Sequence, residues 1–157
     1  MTKIISYSCF ELLTLFELLN KFSIMRKIEH IGIAVKSIET SNVLFEKLFG
    51  APAYKQEEVA SEGVKTSFFM NGPNKIELLE ATNPDSPIAK FIDKKGEGIH
   101  HIAFDVKDIV SEMKRLEAEG FILLNTAPKK GADNKLVAFL HPKTTNGVLI
   151  ELCQEIE

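Results

Sequence analysis

Two stretches of the chain show the same alternation of hydrophobic residues with polar or small ones. They cover residues 30–38 and 101–109, and each begins with a histidine. Alternation with a period of two predicts β-strands with one buried face. The alternating residues are Ile31, Ile33 and Val35 in the first stretch and Ile102, Phe104 and Val106 in the second. Because the two histidines lie 71 residues apart and their surroundings match, the chain contains an internal repeat.

Each of these strands is followed by a segment with the ends of a helix. The first helix is predicted to begin near Ser37 and to stop at Gly50, and the second to begin near Asp108 and to stop at Gly120. Three further strand-like stretches follow each helix. They lie near residues 54–59, 64–70 and 75–80 in the first copy, and near residues 121–125, 136–140 and 147–153 in the second. Each copy therefore predicts a βαβββ module.

A third helix is predicted between the two copies, because Ser86 is a good N-cap and Pro87 suits the first helical position. We expect an α+β fold in which the two modules pair around a metal-binding cleft. The predicted boundaries are about 27–82 for the first module, about 86–95 for the linker helix and about 98–154 for the second module, all within a domain of residues 25–157.

Residues 1–24 differ from the rest of the chain. They are rich in leucine, phenylalanine and isoleucine, and their spacing predicts an amphipathic helix over about residues 9–22. The segment contains glutamates and no arginine, unlike a secretory signal or a mitochondrial transit peptide. We interpret it as a helical extension that docks on the core or on a second subunit, or as an appendage ahead of a start at Met25.

Composition restricts the class of protein. An apolar fraction of 45% and a charged fraction of 26% are typical of soluble globular proteins. The net charge of −3, without a Lys/Arg-rich run, argues against nucleic acid as a partner. No apolar run reaches the roughly 18–20 residues that span a bilayer, so no membrane partner is expected. Cys9 and Cys153 lie far apart, which favours a reducing compartment and a cytoplasmic location.

The repeat also carries candidate chemistry. His30 and Glu77 are 47 residues apart in the first copy, and His101 and Glu151 are 50 residues apart in the second. By strand alternation, all four side chains project from the face opposite the large apolar residues, so paired modules would bring them together. Two imidazoles and two carboxylates suit Co²⁺, Mn²⁺, Ni²⁺, Fe²⁺ or Zn²⁺. The same alternation predicts that His100 points away from His101 and is structural.

Several motifs extend beyond the repeat. They are Asp-Ser-Pro-Ile-Ala-Lys at 85–90, Gly-Glu-Gly-Ile-His-His at 96–101 and His-Pro-Lys at 141–143. Together with the two metal-bearing strands, these segments resemble the glyoxalase/bleomycin-resistance, or vicinal oxygen chelate, superfamily. Within it they are most similar to the methylmalonyl-CoA epimerase family. The resemblance covers residues 25–157 and leaves residues 1–24 without a counterpart.

This resemblance implies an isomerase with the vicinal oxygen chelate fold. Such an enzyme interconverts the R and S forms of methylmalonyl-CoA, an acyl-CoA of propionate metabolism, by removing the proton at C2 through a metal-stabilised enolate. It implies one divalent metal ion per chain, with Co²⁺ favoured, held by His30, Glu77, His101 and Glu151. Glu151 is also the implied catalytic base. A homodimer is the expected assembly.

Two further residues are candidates for substrate binding. Some family members place a second catalytic glutamate shortly after a Gly-Val pair. Here the pair is Gly63-Val64, and Thr66 stands where that glutamate would be. A mechanism with two carboxylate bases is therefore in question, and Thr66 could orient a water molecule instead. Lys143, in a predicted loop, is the candidate contact for a phosphate of coenzyme A.

Three other functions use the same fold and stay open at this point. A glyoxalase I-like lactoylglutathione lyase would use the same metal site, and activity on methylglyoxal with glutathione would reveal it. An extradiol dioxygenase would use two histidines and one carboxylate, so a fourth ligand counts against it. A non-catalytic small-molecule-binding protein of the superfamily would typically lack the metal ligands.

Overall fold

The computed structural model describes residues 25–156 as one eight-stranded mixed sheet with three α-helices. The strands are β1 (Met25–Ala34), β2 (Lys55–Val59), β3 (Val64–Asn71), β4 (Asn74–Ala81), β5 (Gly98–Val106), β6 (Lys129–Lys130), β7 (Lys135–Leu140) and β8 (Leu149–Glu155). The helices are α1 (Ile38–Phe49), α2 (Pro87–Lys95) and α3 (Ile109–Ala118), and two short 3₁₀ helices cover Ala60–Glu62 and Pro142–Thr144. The helix predicted within residues 1–24 lies outside the described residues.

The order of strands in the sheet is β2-β3-β4-β1-β5-β8-β7-β6. We call residues 25–81 the first half and residues 98–155 the second half. In each half the first strand pairs in parallel with the last, β1 with β4 and β5 with β8. The halves join through the antiparallel pair β1–β5. This arrangement confirms the predicted α+β fold of two paired βαβββ modules.

The helix ends follow from local side-chain chemistry. The Ser37 hydroxyl accepts a hydrogen bond from the Thr40 N–H at 3.2 Å, and the Asp108 carboxylate accepts one from the Ser111 N–H at 3.1 Å. Both caps satisfy N–H groups that have no partner inside the helix. Gly50 ends α1 with a φ of 71°, a left-handed conformation that glycine adopts without strain. Among the described residues, no helix is long and apolar enough to cross a bilayer.

One face of the sheet is covered by α1 and α3 and carries large apolar side chains. In the first half they pack against α1 as the buried group Val35, Ile38, Phe69 and Leu78. In the second half they pack against α3 as the buried group Val106, Ile109, Met113, Leu116, Ala138, Leu140 and Leu152. The opposite face of the central strands carries His30, Glu77, His101 and Glu151, as the alternation predicts, beside apolar residues such as Leu79.

The sheet curls until its two edges meet. In a flat sheet of eight strands, the edge strands would lie about 34 Å apart at the usual interstrand spacing. Here Asp133, in the turn between β6 and β7, forms an ion pair with Lys55 on edge strand β2, with Nζ and Oδ1 3.0 Å apart. The face of the sheet opposite α1 and α3 is thus the inside of a half-barrel, and a cavity forms between the halves.

One predicted strand is wrong. Residues 121–125 form no strand, and only Leu123 bridges Leu140 on β7. The following segment includes Pro128, which has no N–H to donate to a ladder. Pairing with β7 resumes only at the two-residue strand β6. The second half therefore has a broken edge where the first half has the continuous strand β2.

Candidate metal centre

The four predicted metal ligands stand on the four central strands, one on each. His30 is on β1, Glu77 on β4, His101 on β5 and Glu151 on β8. Strand register aligns them in two rows across the sheet. The first row is Glu77–Gly32–His101, and the second is His30–Ala103–Glu151. Residues opposite each other on neighbouring strands share a face. Each row therefore brings a glutamate from one half to a histidine from the other, across one small residue.

In the first row, the space above the small residue Gly32 is occupied by an imidazole ring. A Cβ added at Gly32 would lie 2.2 Å from Cε1 of His101, so the His101 ring rests directly on the Gly32 backbone. The prediction that small residues leave room beside the ligands is therefore refined at this position, because the room is occupied by a ligand itself.

The donor atoms converge on one point. The Nε2 atoms of His30 and His101 are 2.9 Å apart, the His30 Nε2 is 3.2 Å from Glu77 Oε2, and the His101 Nε2 is 3.1 Å from Glu151 Oε2. The two remaining His–Glu separations are 3.6 and 3.8 Å. Ligand atoms about 2.1 Å from one ion and at right angles to each other would be about 3.0 Å apart. The separations therefore match one coordination sphere.

The charges of the four groups suit a divalent ion. Burial opposes protonation of His30, but the charge of Glu77 raises the pKa of this histidine well above its ordinary value. Burial opposes ionisation of Glu77, but His30 and His101 lower its pKa to about 2. The same opposing causes raise the pKa of His101 and lower that of Glu151. The metal-free site thus holds two carboxylates balanced by protons, which a divalent ion would replace. The donor set fits the metal implied by the resemblance.

Two residues that sequence reasoning missed, one buried and one partly buried, contact the outer nitrogens of the histidines. The Glu29 carboxylate lies 2.5 Å from His30 Nδ1, and His100 Nδ1 lies 2.9 Å from His101 Nδ1. The prediction that His100 points away from His101 is wrong, because His100 faces the cavity. Burial and the neighbouring His101 lower the pKa of His100 to about 4, so it is neutral. The missed signal is a polar residue directly before each repeated histidine.

A cavity of about 350 Å³ opens above the four ligands. Its walls are mainly apolar and come from both halves, as Val59, Val64, Phe68 and Leu79 on one side and Leu124, Val137 and Phe139 on the other. Such a pocket, apolar with a few convergent polar groups at its base, is the usual form of a small-molecule site.

The two predicted substrate-binding residues differ in position. Thr66 is buried on β3, lines the cavity, and donates its hydroxyl hydrogen to the backbone oxygen of Glu57 at 3.3 Å. Lys143 lies in the 3₁₀ helix Pro142–Thr144, where it is exposed and does not line the cavity. The structure thus brings Thr66 to the four metal-ligand candidates and leaves Lys143 outside.

Comparisons with known proteins agree with this architecture. Residues 29–139 match the Glyoxalase/Bleomycin resistance protein/Dioxygenase superfamily. The chain is 41% identical to the mitochondrial methylmalonyl-CoA epimerase of Dictyostelium discoideum, over 80% of this chain and 76% of that protein. It is 40% identical to the ethylmalonyl-CoA/methylmalonyl-CoA epimerase of Cereibacter sphaeroides, over 82% of this chain and 97% of that protein.

A solved structure gives the same result. The methylmalonyl-CoA epimerase of Mycobacterium tuberculosis superposes with a TM-score of 0.83 at 29% identity, covering 87% of this chain and 92% of that one. Similarity of this extent in both sequence and fold identifies a common family. The chain therefore belongs to the glyoxalase/bleomycin-resistance/dioxygenase superfamily and, within it, to the methylmalonyl-CoA epimerases, which are isomerases.

Proposed function

We propose that this protein interconverts the R and S forms of methylmalonyl-CoA by removing and returning the proton at C2, with one divalent metal ion held by His30, Glu77, His101 and Glu151. The observation that carries the proposal is the convergence of two imidazoles and two carboxylates, one of each from either half, at the base of a cavity of about 350 Å³. Epimerases at 40–41% identity support the substrate.

The chemistry divides between the ion and the chain. A bound divalent ion would supply a Lewis acid that stabilises the negative charge developing on the thioester oxygen as C2 loses its proton. The chain would hold the ion through Nε2 of each histidine and one oxygen of each glutamate. The apolar walls, including Phe68 and Phe139, exclude water from the reacting carbon.

Glu151 is the proposed base. Although burial opposes its ionisation, His101 lowers the pKa of this carboxyl, so at neutral pH it is ionised and can accept the C2 proton. Its two oxygens are in different surroundings. Oε2 faces His101, whereas Oε1 accepts a hydrogen bond from the Cys153 thiol at 3.1 Å. The thiol therefore fixes the rotation of the carboxylate above the cavity floor.

Return of the proton to the opposite face of C2 needs a second group. Thr66 lines the cavity but its hydroxyl is bonded to the Glu57 backbone, so it suits the orientation of a water molecule better than the role of a base. Glu77 is the ionised carboxylate that the first half contributes, across the cluster from Glu151. We assign the second proton transfer to Glu77 or to a water molecule beside Thr66, and substitutions distinguish them.

The remaining assignments rest on the resemblance or, for the location, on the spacing of the two cysteines. Co²⁺ as the native ion, a homodimer, a cytoplasmic location and a role in propionate metabolism stay predictions. Lys143, in the 3₁₀ helix Pro142–Thr144, stays a predicted contact for a phosphate of coenzyme A.

Exchange of the C2 proton tests the proposal directly. Methylmalonyl-CoA in D₂O is incubated with the Co²⁺-loaded protein, and deuterium at C2 is followed by mass spectrometry. We expect exchange well above the rate in protein-free buffer and above that of the Glu151→Gln variant. Exchange no faster than in buffer would overturn the proposal. Turnover of methylglyoxal with glutathione instead would assign the lyase function, and ethylmalonyl-CoA as a second substrate would show how large an acyl group the cavity accepts.

A further inference from the structure

The residues that precede the two metal-binding histidines owe their direction to a pair of bulges in the central strands. Along the β1–β5 ladder, Ile28 pairs with Phe104 and His30 with Ala103, which leaves Glu29 as an extra residue. Likewise, Gly32 pairs with His101 and Ile33 with Ile99, which leaves His100 as an extra residue. A bulge interrupts the alternation of faces, so two successive side chains can point to the same side.

In the first half, the bulge delivers a carboxylate that is held in a network of charges. Glu29 is 4% exposed, and its Oε2 lies 2.5 Å from His30 Nδ1. Its Oε1 accepts a hydrogen bond from Lys75 Nζ at 2.5 Å, and Lys75 also contacts Asp133 Oδ2 at 2.6 Å. A second lysine, Lys135, places its Nζ 3.7 Å from Glu29 Oε1. The carboxylate is thus buried with partners on both oxygens and cannot turn freely.

In the second half, the bulge delivers a neutral ring in place of the carboxylate. His100 Nδ1 lies 2.9 Å from His101 Nδ1, and the His100 ring packs edge-on against Phe91 of α2 with ring centroids 5.0 Å apart. One nitrogen of a neutral imidazole accepts a hydrogen bond while the other carries the proton. His100 can therefore accept from His101, but without the charge that Glu29 offers to His30.

These contacts determine which nitrogen of each ligand is available to an ion. A histidine that binds an ion through Nε2 carries its proton on Nδ1, and a hydrogen-bond acceptor at Nδ1 fixes this tautomer and the ring orientation. An anionic acceptor also makes the ring a stronger donor to the ion. Since both Nε2 atoms already face each other at 2.9 Å, each acceptor supports the geometry that binding requires.

We propose that Glu29 is a positioning residue that holds His30 in its metal-binding tautomer, that His100 holds His101 in the same way but more weakly, and that the first half therefore contributes more of the affinity for the ion. The proposal deepens the proposed function and rests on its metal site. It assigns roles to two residues that are not among the four proposed metal ligands.

The affinity of the full-length, metal-free protein for Co²⁺ tests the proposal, measured by competition with a chromophoric chelator. We expect Glu29→Gln to lower the affinity about 10- to 100-fold, the usual effect of removing an outer partner of a ligand. His100→Phe keeps a ring against Phe91 but removes the acceptor, and should lower the affinity less than Glu29→Gln does. Glu117→Gln, at an exposed position on α3, is the matched control and should leave the affinity unchanged.

Spectroscopy gives two further measurements, and the first needs no substitution. Nitrogen NMR of the histidine side chains in the Zn²⁺-bound wild-type protein should show His30 bound through Nε2 with a slowly exchanging proton on Nδ1. In the Co²⁺ form of Glu29→Gln, the visible absorption bands should shift, whereas a merely structural role for Glu29 would leave them in place.

The possible failures are distinct. A wild-type protein that binds no divalent ion would overturn both the metal site and this inference. A Glu29→Gln variant that binds Co²⁺ as tightly as the wild type, or a His30 bound through Nδ1, would overturn the inference and leave the metal site standing. Equal losses in Glu29→Gln and His100→Phe would overturn the ranking of the two halves.

Discussion

The two halves of the sheet supply the same pair of ligands but surround them differently. In the first half, His30 is backed by the Glu29 carboxylate and His101 lies over Gly32, whereas in the second half, His101 is backed by neutral His100 and His30 lies opposite Ala103. The strands that bring donor atoms to the ion are alike. The residues one position away, which contact the outer nitrogens of the two histidines, are not. In this repeat, the positions of the donor atoms match between the halves, whereas the charges of the residues beside them do not.

The largest expected effect concerns the two glutamates. Glu151→Gln keeps an oxygen for the ion but cannot accept a proton, so kcat should fall about 10²–10⁴-fold while Co²⁺ binding is largely retained. Glu77→Gln is the matched change in the other half. If Glu77 serves only as a ligand, its kcat should fall much less. Steady-state epimerisation and Co²⁺ titration of both variants provide the comparison.

The two variants can also contradict these roles. Equal, large losses in both would mean that each half supplies a base, one for either face of C2. A Glu151→Gln variant that binds Co²⁺ and turns over like the wild type would reduce Glu151 to a ligand.

The next largest effect concerns the small residues between the ligands. Gly32→Ala would place a methyl group within 2.2 Å of the His101 ring, so the ring must move away from the ion position. Overpacking of this kind costs about 1–3 kcal/mol, and we expect Co²⁺ affinity to fall about 10- to 100-fold. In metal-free protein the ring can turn aside, so the melting temperature should change less. Affinity equal to that of the wild type would show that the strand yields instead of the ring.

Ala103→Gly is the corresponding change in the second half. It removes a methyl group opposite His30 and adds none, so it should leave Co²⁺ affinity near that of the wild type. Its cost should appear as about 1 kcal/mol of unfolding free energy, because glycine in a strand loses more conformational freedom on folding.

A smaller effect concerns the ion pairs that tie the second half to the first. Burial opposes ionisation of Asp133, but Lys75 and Lys55 lower the pKa of this carboxyl below its ordinary value of 3.8. Ionised Asp133 therefore stabilises the fold above pH 3.8, and this contribution is lost as pH falls through the lower, folded pKa. We expect Asp133→Asn to cost about 1 kcal/mol at pH 7 and almost nothing at strongly acid pH.

Urea unfolding at several pH values measures this difference. Asp93→Asn, at an exposed position on α2, serves as the control and should follow the wild type throughout. A constant difference between Asp133→Asn and wild type, from pH 7 down to the acid limit, would mean that the turn at residues 131–134 is stabilised by its shape and not by these charges.

The smallest effect is expected for removal of residues 1–24. All four ligand candidates and the partners named above lie within residues 29–153, so a chain that begins at Met25 should keep its specific activity and its Co²⁺ affinity. Size-exclusion chromatography would show whether the assembly changes. Lost epimerisation in a folded, Co²⁺-loaded protein would mean that residues 1–24 reach the active site and that the two halves do not complete it.

Much of this architecture could be predicted because it depends on local patterns. At Ser37, Ser86 and Asp108, each cap side chain accepts a hydrogen bond from a backbone N–H three residues later. The face on which each candidate ligand lies follows from the two-residue period of a strand. Pairing of the halves followed from the repeat. For the caps and the ligand faces, a short window of sequence contains the physical cause, whereas the pairing of the halves was found by comparing two such windows.

The errors share another cause. Whether Glu29 and His100 face the site depends on where the β1–β5 ladder slips by one residue, and that is decided between strands 71 residues apart in the chain. Alternation within one strand contains no information about such a slip. The broken edge near Pro128 also depends on register with β7, which an apolar run at residues 121–125 does not reveal.

The row pattern across β1 and β5 has a consequence for ancestry. Were the first half alone to pair with a second copy of itself through β1, His30 of each copy would stand opposite Gly32 of the other, and two identical chains would assemble both histidines and both glutamates. In such a symmetric ancestor every residue beside the ion would occur twice. Only after duplication and fusion into one gene could one copy keep an acid before its histidine while the other acquired an imidazole. The difference between Glu29 and His100 is thus one that a single chain with two halves allows and a symmetric dimer of identical halves does not.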